Sequence, residues 1–261
     1  MQNLTITLIQ TDLHWEDKVK NLEMFAAKIA SIAGHTDLIV LPEMFTTGFS
    51  MRPGLFAEKM DGATVSWMRY RAREKSCVIT GSFICEENGN YFNRLVWMRA
   101  DGSYETYDKR HLFRMGEEDK HYGAGQKRLI VELNGWKVCP LVCYDLRFPV
   151  WSRNQKQDPY DLLIYIANWP ERRAHPWKSL LVARAIENQC FVAGLNRIGN
   201  DGNSIYHAGD SAVLNFKGES ISAIETGKEC ADTYILKYDE LMEFRKIFPV
   251  MLDADDFDVK L

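Results

Sequence analysis

The 261-residue chain reads as an α/β protein in which helices cover a pair of mixed sheets. Three observations predict this. Strand, helix and strand patterns follow one another in the first third of the chain. Two hairpin signals, Asp101-Gly102 and Asn134-Gly135, add antiparallel pairing to an order that alternation alone would make parallel. No linker rich in Pro, Gly or Ser, no repeat and no low-complexity tract divides the sequence, so a single domain over residues 1–261 is expected.

The elements follow in order. "LTITLIQ" (residues 4–10) alternates apolar and polar as a half-buried strand does. "LEMFAAKIASIAG" places Leu22, Phe25, Ile29 and Ile32 at helical spacing, with Gly34 as the expected C-cap. "DLIVLPE" is a short apolar strand running into Pro42 and Glu43. A second helix is expected over about residues 64–75, then "CVITGSF" as a strand, then the hairpin "RLVWMRADGSYETYDK". "RLIVELNGWKVCPLVCYD" repeats the hairpin arrangement and ends at Cys143. "DLLIYIANWP" is a buried strand, and "HPWKSLLVARAIENQ" a helix with Trp177, Leu181 and Ala185 on one face. "CFVAGLNRIG", "SAVLNF" and "TYILKYD" read as strands, with a turn at "NFKGE" and a short helix at "DELMEFRKIF". The terminal "IFPVMLDADDF" carries apolar residues without local pattern, which suits a tail lying against a partner subunit.

Composition narrows the function. With 46% hydrophobic and 26% charged residues the chain has the balance of a globular protein, and a net charge of −4 offers no basic footprint for nucleic acid. No apolar run reaches the roughly 18 residues that cross a bilayer, and the start lacks the basic and apolar regions of a secretion signal. The six cysteines are scattered in apolar surroundings instead of forming a framework, so reduced thiols and a cytoplasmic location are expected.

Three strand ends carry chemistry: Glu43 closes "DLIVLPE", Lys109 closes "YETYDK" and Cys143 closes "VCPLVC". A rigid sheet fixes the backbone at such places while the loop exposes the side chain. A thiol, a carboxylate and an ammonium together can break an acyl C–N bond. The carboxylate can take the thiol proton, and the ammonium can stabilise thiolate and oxyanion, with the N–H of Tyr144 as a second oxyanion donor. The plain alternatives are an inert core cysteine, a solvated loop glutamate and a surface lysine in "DKRH", and sequence separation alone does not bring the three together.

The segments "LPEMFTTGF" (41–49), "YDKRHLF" (107–113) and "LVCYDLRFP" (141–149), in this order, resemble the three signature blocks of the nitrilase, or carbon–nitrogen hydrolase, superfamily. "TLIQTDL" and residues 168–199 are similar to family segments as well, so the resemblance spans essentially the whole chain. It implies a four-layered α-β-β-α sandwich with mixed sheets, two of which associate as an α-β-β-α-α-β-β-α homodimer, with no metal and no cofactor. It also implies Cys143 as nucleophile, Glu43 as general base and Lys109 as electrostatic stabiliser. A further glutamate, seven residues before a glycine in "EDKHYGAG", corresponds to Glu118 with Gly125, although Glu117 is adjacent. "LPEMFTTGFS", "ANWP" and "ARAIENQ" are similar to the omega-amidase branch, which implies a small-molecule substrate: 2-oxo-dicarboxylate monoamides such as 2-oxoglutaramate and 2-oxosuccinamate.

For specificity, Met44, Phe45 and Phe49 follow the base and are candidates to line the acyl pocket, and Trp169 is a candidate for another wall. A carboxylate-bearing substrate calls for an arginine; Arg52, Arg147, Arg172 and Arg173 lie near the motifs and the sequence does not choose among them. Competing readings are another carbon–nitrogen hydrolase acting on carbamoyl groups or aliphatic amides, and an idle binding module on the same fold. A nucleotide-dependent enzyme lacks both glycine-rich phosphate motifs, and Cys139 with Cys143 has no second ligand pair for a metal.

Overall fold

The computed structural model describes residues 2–259. Its strands in chain order are β1 (Leu4–Gln10), β2 (Leu38–Val40), β3 (Val78–Glu87), β4 (Asn90–Met98), β5 (Tyr104–Asp108), β6 (Val131–Leu133), β7 (Trp136–Val142), β8 (Leu162–Ala167), β9 (Phe191–Asn196), β10 (Ile198–Asn200), β11 (Tyr206–Ala208), β12 (Ala212–Leu214) and β13 (Cys230–Leu236). They build a six-stranded sheet ordered β13-β1-β2-β3-β4-β5, a five-stranded sheet ordered β12-β9-β8-β7-β6, and a small β10-β11 ribbon. Both large sheets are mixed: β1-β2-β3 and β7-β8-β9 pair in parallel, and antiparallel strands flank them.

Alternation along the strands decides what each face meets. On the six-stranded sheet Leu4, Ile6, Leu8, Leu38, Val40, Leu95 and Trp97 share one buried cluster with Val138, Ile164 and Leu195 of the other sheet, which makes the inner β-β layer. The opposite face, with Ile9, Ile39, Ile79, Val96 and Met98, packs on Phe25 and Ile29 of the helix Lys18–Ser31 and on Val65, Met68 and Ala72 of the helix Ala63–Lys75. The outer face of the five-stranded sheet is covered by the helix Ala174–Asn188 through Trp177, Leu181 and Ala185, and by Leu241 of the helix Tyr238–Ile247. The fit is close enough at β9 that a Cβ on Gly194 would lie 2.5 Å from Leu181. The layering is α-β-β-α, as expected.

Several local expectations need correction. The first helix stops at Ser31 with Ile32 as its cap, because the backbone turns extended there; Gly34, at φ +77°, serves the following turn instead. The strand in "DLIVLPE" is only Leu38–Val40, which leaves Glu43 in a turn beyond it. An unforeseen hairpin joins β3 to β4 through Asn88-Gly89, both at positive φ as a tight primed turn requires. The C-terminal segment lies against its own chain: Lys156 donates to the carbonyls of Leu252 (3.2 Å) and Ala254 (3.1 Å). Ile247, Phe248 and Leu252 nonetheless remain exposed.

Candidate active site

The three strand ends converge. Glu43 sits in the turn after β2, and that turn is pinned to β3: Met44 N–H donates to Ser82 Oγ (2.9 Å) and Phe45 N–H to the Ser82 carbonyl (2.9 Å). Met44 pays for the sharp reversal with φ +45°. Lys109 follows β5, where its N–H donates to Asn93 of β4 (3.0 Å). Cys143 opens a 3₁₀ turn, Cys143–Arg147, directly after β7, and is held at φ +46°, a conformation that L residues other than Asn and Asp rarely take.

One side chain holds that turn against the lysine loop. Asp145, fully buried, accepts from Val142 N–H (3.0 Å) on its own strand, from Tyr107 Oη–H (2.7 Å), and from His111 N–H (3.0 Å) and Nδ1 (2.8 Å). Tyr107 and His111 bracket Lys109, so the carboxylate fixes the Lys109 backbone relative to Cys143.

The ionised core has no solvent exposure at Glu43, Lys109 or Glu118. Lys109 Nζ donates to Glu43 Oε1 (2.8 Å) and to Glu118 Oε2 (2.9 Å). Asn93 Nδ2 donates to Glu43 Oε1 (2.8 Å) and Glu118 Oε1 (3.2 Å), while Asn168 N–H donates to Glu43 Oε2 (2.8 Å). Two carboxylates sharing one ammonium keep the lysine charged: burial would lower its pKa, but Glu118, Glu43 and Cys143 outweigh burial and drive it well up. Burial pushes the Glu118 carboxyl up, and Lys109 opposes it. The Cys143 thiol is held well above the ordinary thiol range, first by burial and then by the Glu43 charge beside it; Lys109 pulls the other way. Cys139 on the same strand is buried without such partners, and burial pushes its thiol up to about 12.

The glutamate ambiguity resolves in geometry. Glu117 is exposed and pairs with Lys120, whereas Glu118 is buried on Lys109 and also accepts from Phe113 N–H (2.6 Å). The glycine seven residues on has a steric reason: a Cβ on Gly125 would fall 1.9 Å from the Asp108 carbonyl oxygen, next to Lys109, whose carbonyl accepts from Gly125 N–H (2.9 Å).

A narrow pocket opens over this core. Lys109, Cys143 and Asn168 lie at its reacting end, and Phe49, Phe113, Tyr144, Trp169, Pro170, Arg147 and Arg173 line its walls. Trp169 and Phe49, candidates for the pocket wall, do line it, and Tyr144, expected to serve through its N–H, lines it as well. Met44 and Phe45 do not. Phe45 packs in the helix-side core edge-on to Phe25, and Met44 sits in a small cluster with Ile84 and Tyr122, because the turn after Glu43 directs both inward. Arg52 is occupied by Glu16 and Arg172 is exposed outside the pocket. Asn93, Asn168, Asp145 and Phe113 went unremarked in the sequence. Asn168 was legible as the polar residue ending "YIAN", and Asn93 becomes legible once Asn88-Gly89 is read as a hairpin. Among the described residues no group of three or more His, Cys, Asp or Glu side chains is placed to hold a metal ion.

A buried thiol beside a carboxylate and an ammonium, on an α-β-β-α sandwich, defines the class of cysteine-dependent acyl-transferring hydrolases. Residues 5–235 match the carbon-nitrogen hydrolase family, and the chain belongs to it. It is 46% identical to the omega-amidase YafV of Escherichia coli (strain K12) over 98% of this chain and 99% of that protein. It is 33% identical to the 2-oxoglutaramate amidase of Bacillus subtilis (strain 168) over 86% and 87% of the two chains. Among solved structures, XC1258 from Xanthomonas campestris, a CN-hydrolase superfamily protein with an arsenic adduct in its active site, superposes with a TM-score of 0.97 at 46% identity, covering both chains fully.

Proposed function

We propose that this chain is an omega-amidase that hydrolyses the terminal amide of short 2-oxo-dicarboxylate monoamides, such as 2-oxoglutaramate and 2-oxosuccinamate, to the 2-oxo acid and ammonia. The observation that carries the reading is the thiol of Cys143 in one pocket with Lys109, which is paired to the buried Glu43, in a chain similar over most of its length to proteins named omega-amidase and 2-oxoglutaramate amidase.

In this reading Cys143 Sγ attacks the amide carbon as its proton passes to Glu43. The high resting pKa of the thiol makes that transfer part of the attack, not a prior ionisation. Lys109 Nζ has three protons. Two are engaged by Glu43 and Glu118, and the third is available to the oxyanion together with the N–H of Tyr144. Glu43 then gives its proton to the departing ammonia. It takes one from the water that attacks the thioester, and the thiol is restored as the acid leaves. Glu118 holds Lys109 in place throughout. Phe49, whose ring centroid lies 5.0 Å from Lys109 Nζ, shields the ammonium from solvent.

The chain acts as one domain. All six cysteines are free thiols, which supports a reducing, cytoplasmic setting. Exposed Val150, Ile247, Phe248 and Leu252 support a homodimer, and a monomer in sedimentation equilibrium at micromolar concentration would contradict that. No helix among the described residues is long and apolar enough to cross a membrane.

The test is ammonia release from 2-oxoglutaramate beside glutamine, asparagine and a simple nitrile. Release from the oxo-amide in preference to the others, reduced about 10⁴-fold or more by Cys143→Ala, is expected. Equal or faster release from the other compounds moves the substrate elsewhere in the family, and no release from any of them with an inert thiol favours a binding module.

A further inference from the structure

Two arginines stand in the pocket wall without an anion. Arg147 ends the turn that begins at Cys143, and its guanidinium lies 4.9 Å from the centroid of the Trp169 ring. Arg173 ends the turn Glu171–Arg173, with its guanidinium 5.0 Å from the centroid of the Phe113 ring. Both are half-buried, and both line the pocket that holds Cys143 and Lys109. Every other buried or half-buried arginine among the described residues donates to a carboxylate or backbone carbonyl: Arg94 to Asp108 and Glu87, Arg184 to Glu187, Arg197 to Asp12, Arg245 to Asp161, and Arg69, Arg71, Arg99, Arg110, Arg128 and Arg153 likewise. Among the described residues the Arg147 guanidinium has no oxygen partner, and the only polar contact of the Arg173 guanidinium is the Met115 sulfur at 3.8 Å.

A half-buried guanidinium gives up part of its hydration with no oxygen acceptor to replace it, and two neighbouring ones repel each other. Arg173 registers this: burial and the like charges of Arg172 and Arg147 weaken its hold on its proton. Stacking on flat rings fixes each guanidinium plane while leaving N–H edges free for a planar, bidentate acceptor. The charge beneath the pocket is the reverse. Glu43 and Glu118 place two carboxylates around the one ammonium of Lys109, so a substrate anion is repelled from that core and drawn to the arginines of the wall.

We infer that Arg147 and Arg173 form a clamp for the carboxylate at the far end of a linear amide, setting the substrate's direction in the pocket and selecting anionic over neutral amides. This rests on the amidase reading above and adds to it which groups impose the specificity.

The test compares kcat/KM for 2-oxoglutaramate and for the neutral n-butyramide in wild type, Arg147→Met, Arg173→Met and the double variant; methionine keeps an apolar stem against the ring. Each single variant is expected to lower the anionic-to-neutral ratio about 10- to 100-fold, mainly through KM for the anion, and the double variant to bring the ratio towards one. Unchanged ratios would overturn the clamp. A second readout needs no turnover: glutarate is expected to slow iodoacetamide alkylation of Cys143 in wild type, less in Arg173→Lys, and not at all in the double variant. If wild type hydrolyses neither amide yet glutarate protects the thiol, the amidase reading fails and the clamp stands. If glutarate does not protect the wild-type thiol, the clamp fails whatever the enzyme hydrolyses.

Discussion

At the scale of residues, Glu43 has two opposed effects on Cys143 in the proposed mechanism. Its negative charge raises the pKa of the thiol, yet its carboxylate is the base proposed to receive the proton during attack. Replacement by Gln separates the two. Glu43→Gln removes a charge that raises the thiol pKa and leaves Lys109, which lowers it, so the folded-state pKa of Cys143 falls and thiolate is populated at lower pH. Turnover should drop at least about 10²-fold for want of a base, while the midpoint of iodoacetamide alkylation against pH moves downward. A midpoint that stayed or rose would contradict the electrostatic account, and near-normal turnover would remove Glu43 from the mechanism. Glu43, Lys109 and Cys143 stood out in the sequence as reactive groups where strands run out, but their roles were expected only from the resemblance of the three blocks around them. Asn93 and Asn168 stand at positions the sequence marks, a strand of the Asn88-Gly89 hairpin and the end of "YIAN", but their contacts with Glu43 were not legible, since a buried amide looks the same in sequence as a solvated one.

At the scale of elements, the site depends on short connections held in costly conformations: the turn at Met44, the 3₁₀ turn at Cys143 and the loop through Gly125. Gly125→Ala tests the last. Its Cβ would meet the Asp108 carbonyl oxygen at 1.9 Å, so the backbone on one side or the other has to move, and Lys109 is the next residue. A kcat at least about tenfold lower, with stability reduced by about 1–3 kcal/mol in urea unfolding, is expected. A variant with wild-type kcat would show that the loop does not set the lysine. Sequence patterns located most strands and the long helices because their apolar periods are strong. They overextended β2, whose apolar run continues past Val40 into the turn, and they could not show that this turn sends Met44 and Phe45 into the core while Phe49 reaches the pocket. Side-chain direction in an irregular turn follows φ and ψ, which the residue types there do not dictate.

At the scale of the whole molecule, two sheets bring strand ends from distant parts of the chain to one edge of the sandwich, so residues 43, 109, 118 and 143 meet at a point that no local pattern defines. The fold class followed from alternation and hairpins, whereas the meeting of the strand ends came from the resemblance of three short blocks, because spacing over tens of residues places no constraint on contact. The arrangement gives the molecule a carboxylate-rich reacting end and a cationic mouth, in a chain whose net charge is only −4. The central claim, that an acyl group passes through Cys143, is tested most directly by acid-quenching the enzyme during turnover of 2-oxoglutaramate and mapping the adduct by peptide mass spectrometry. The account predicts the acyl mass, substrate less ammonia, on the peptide carrying Cys143 and on none carrying Cys139. An adduct on another residue, or full turnover by Cys143→Ala, would contradict it.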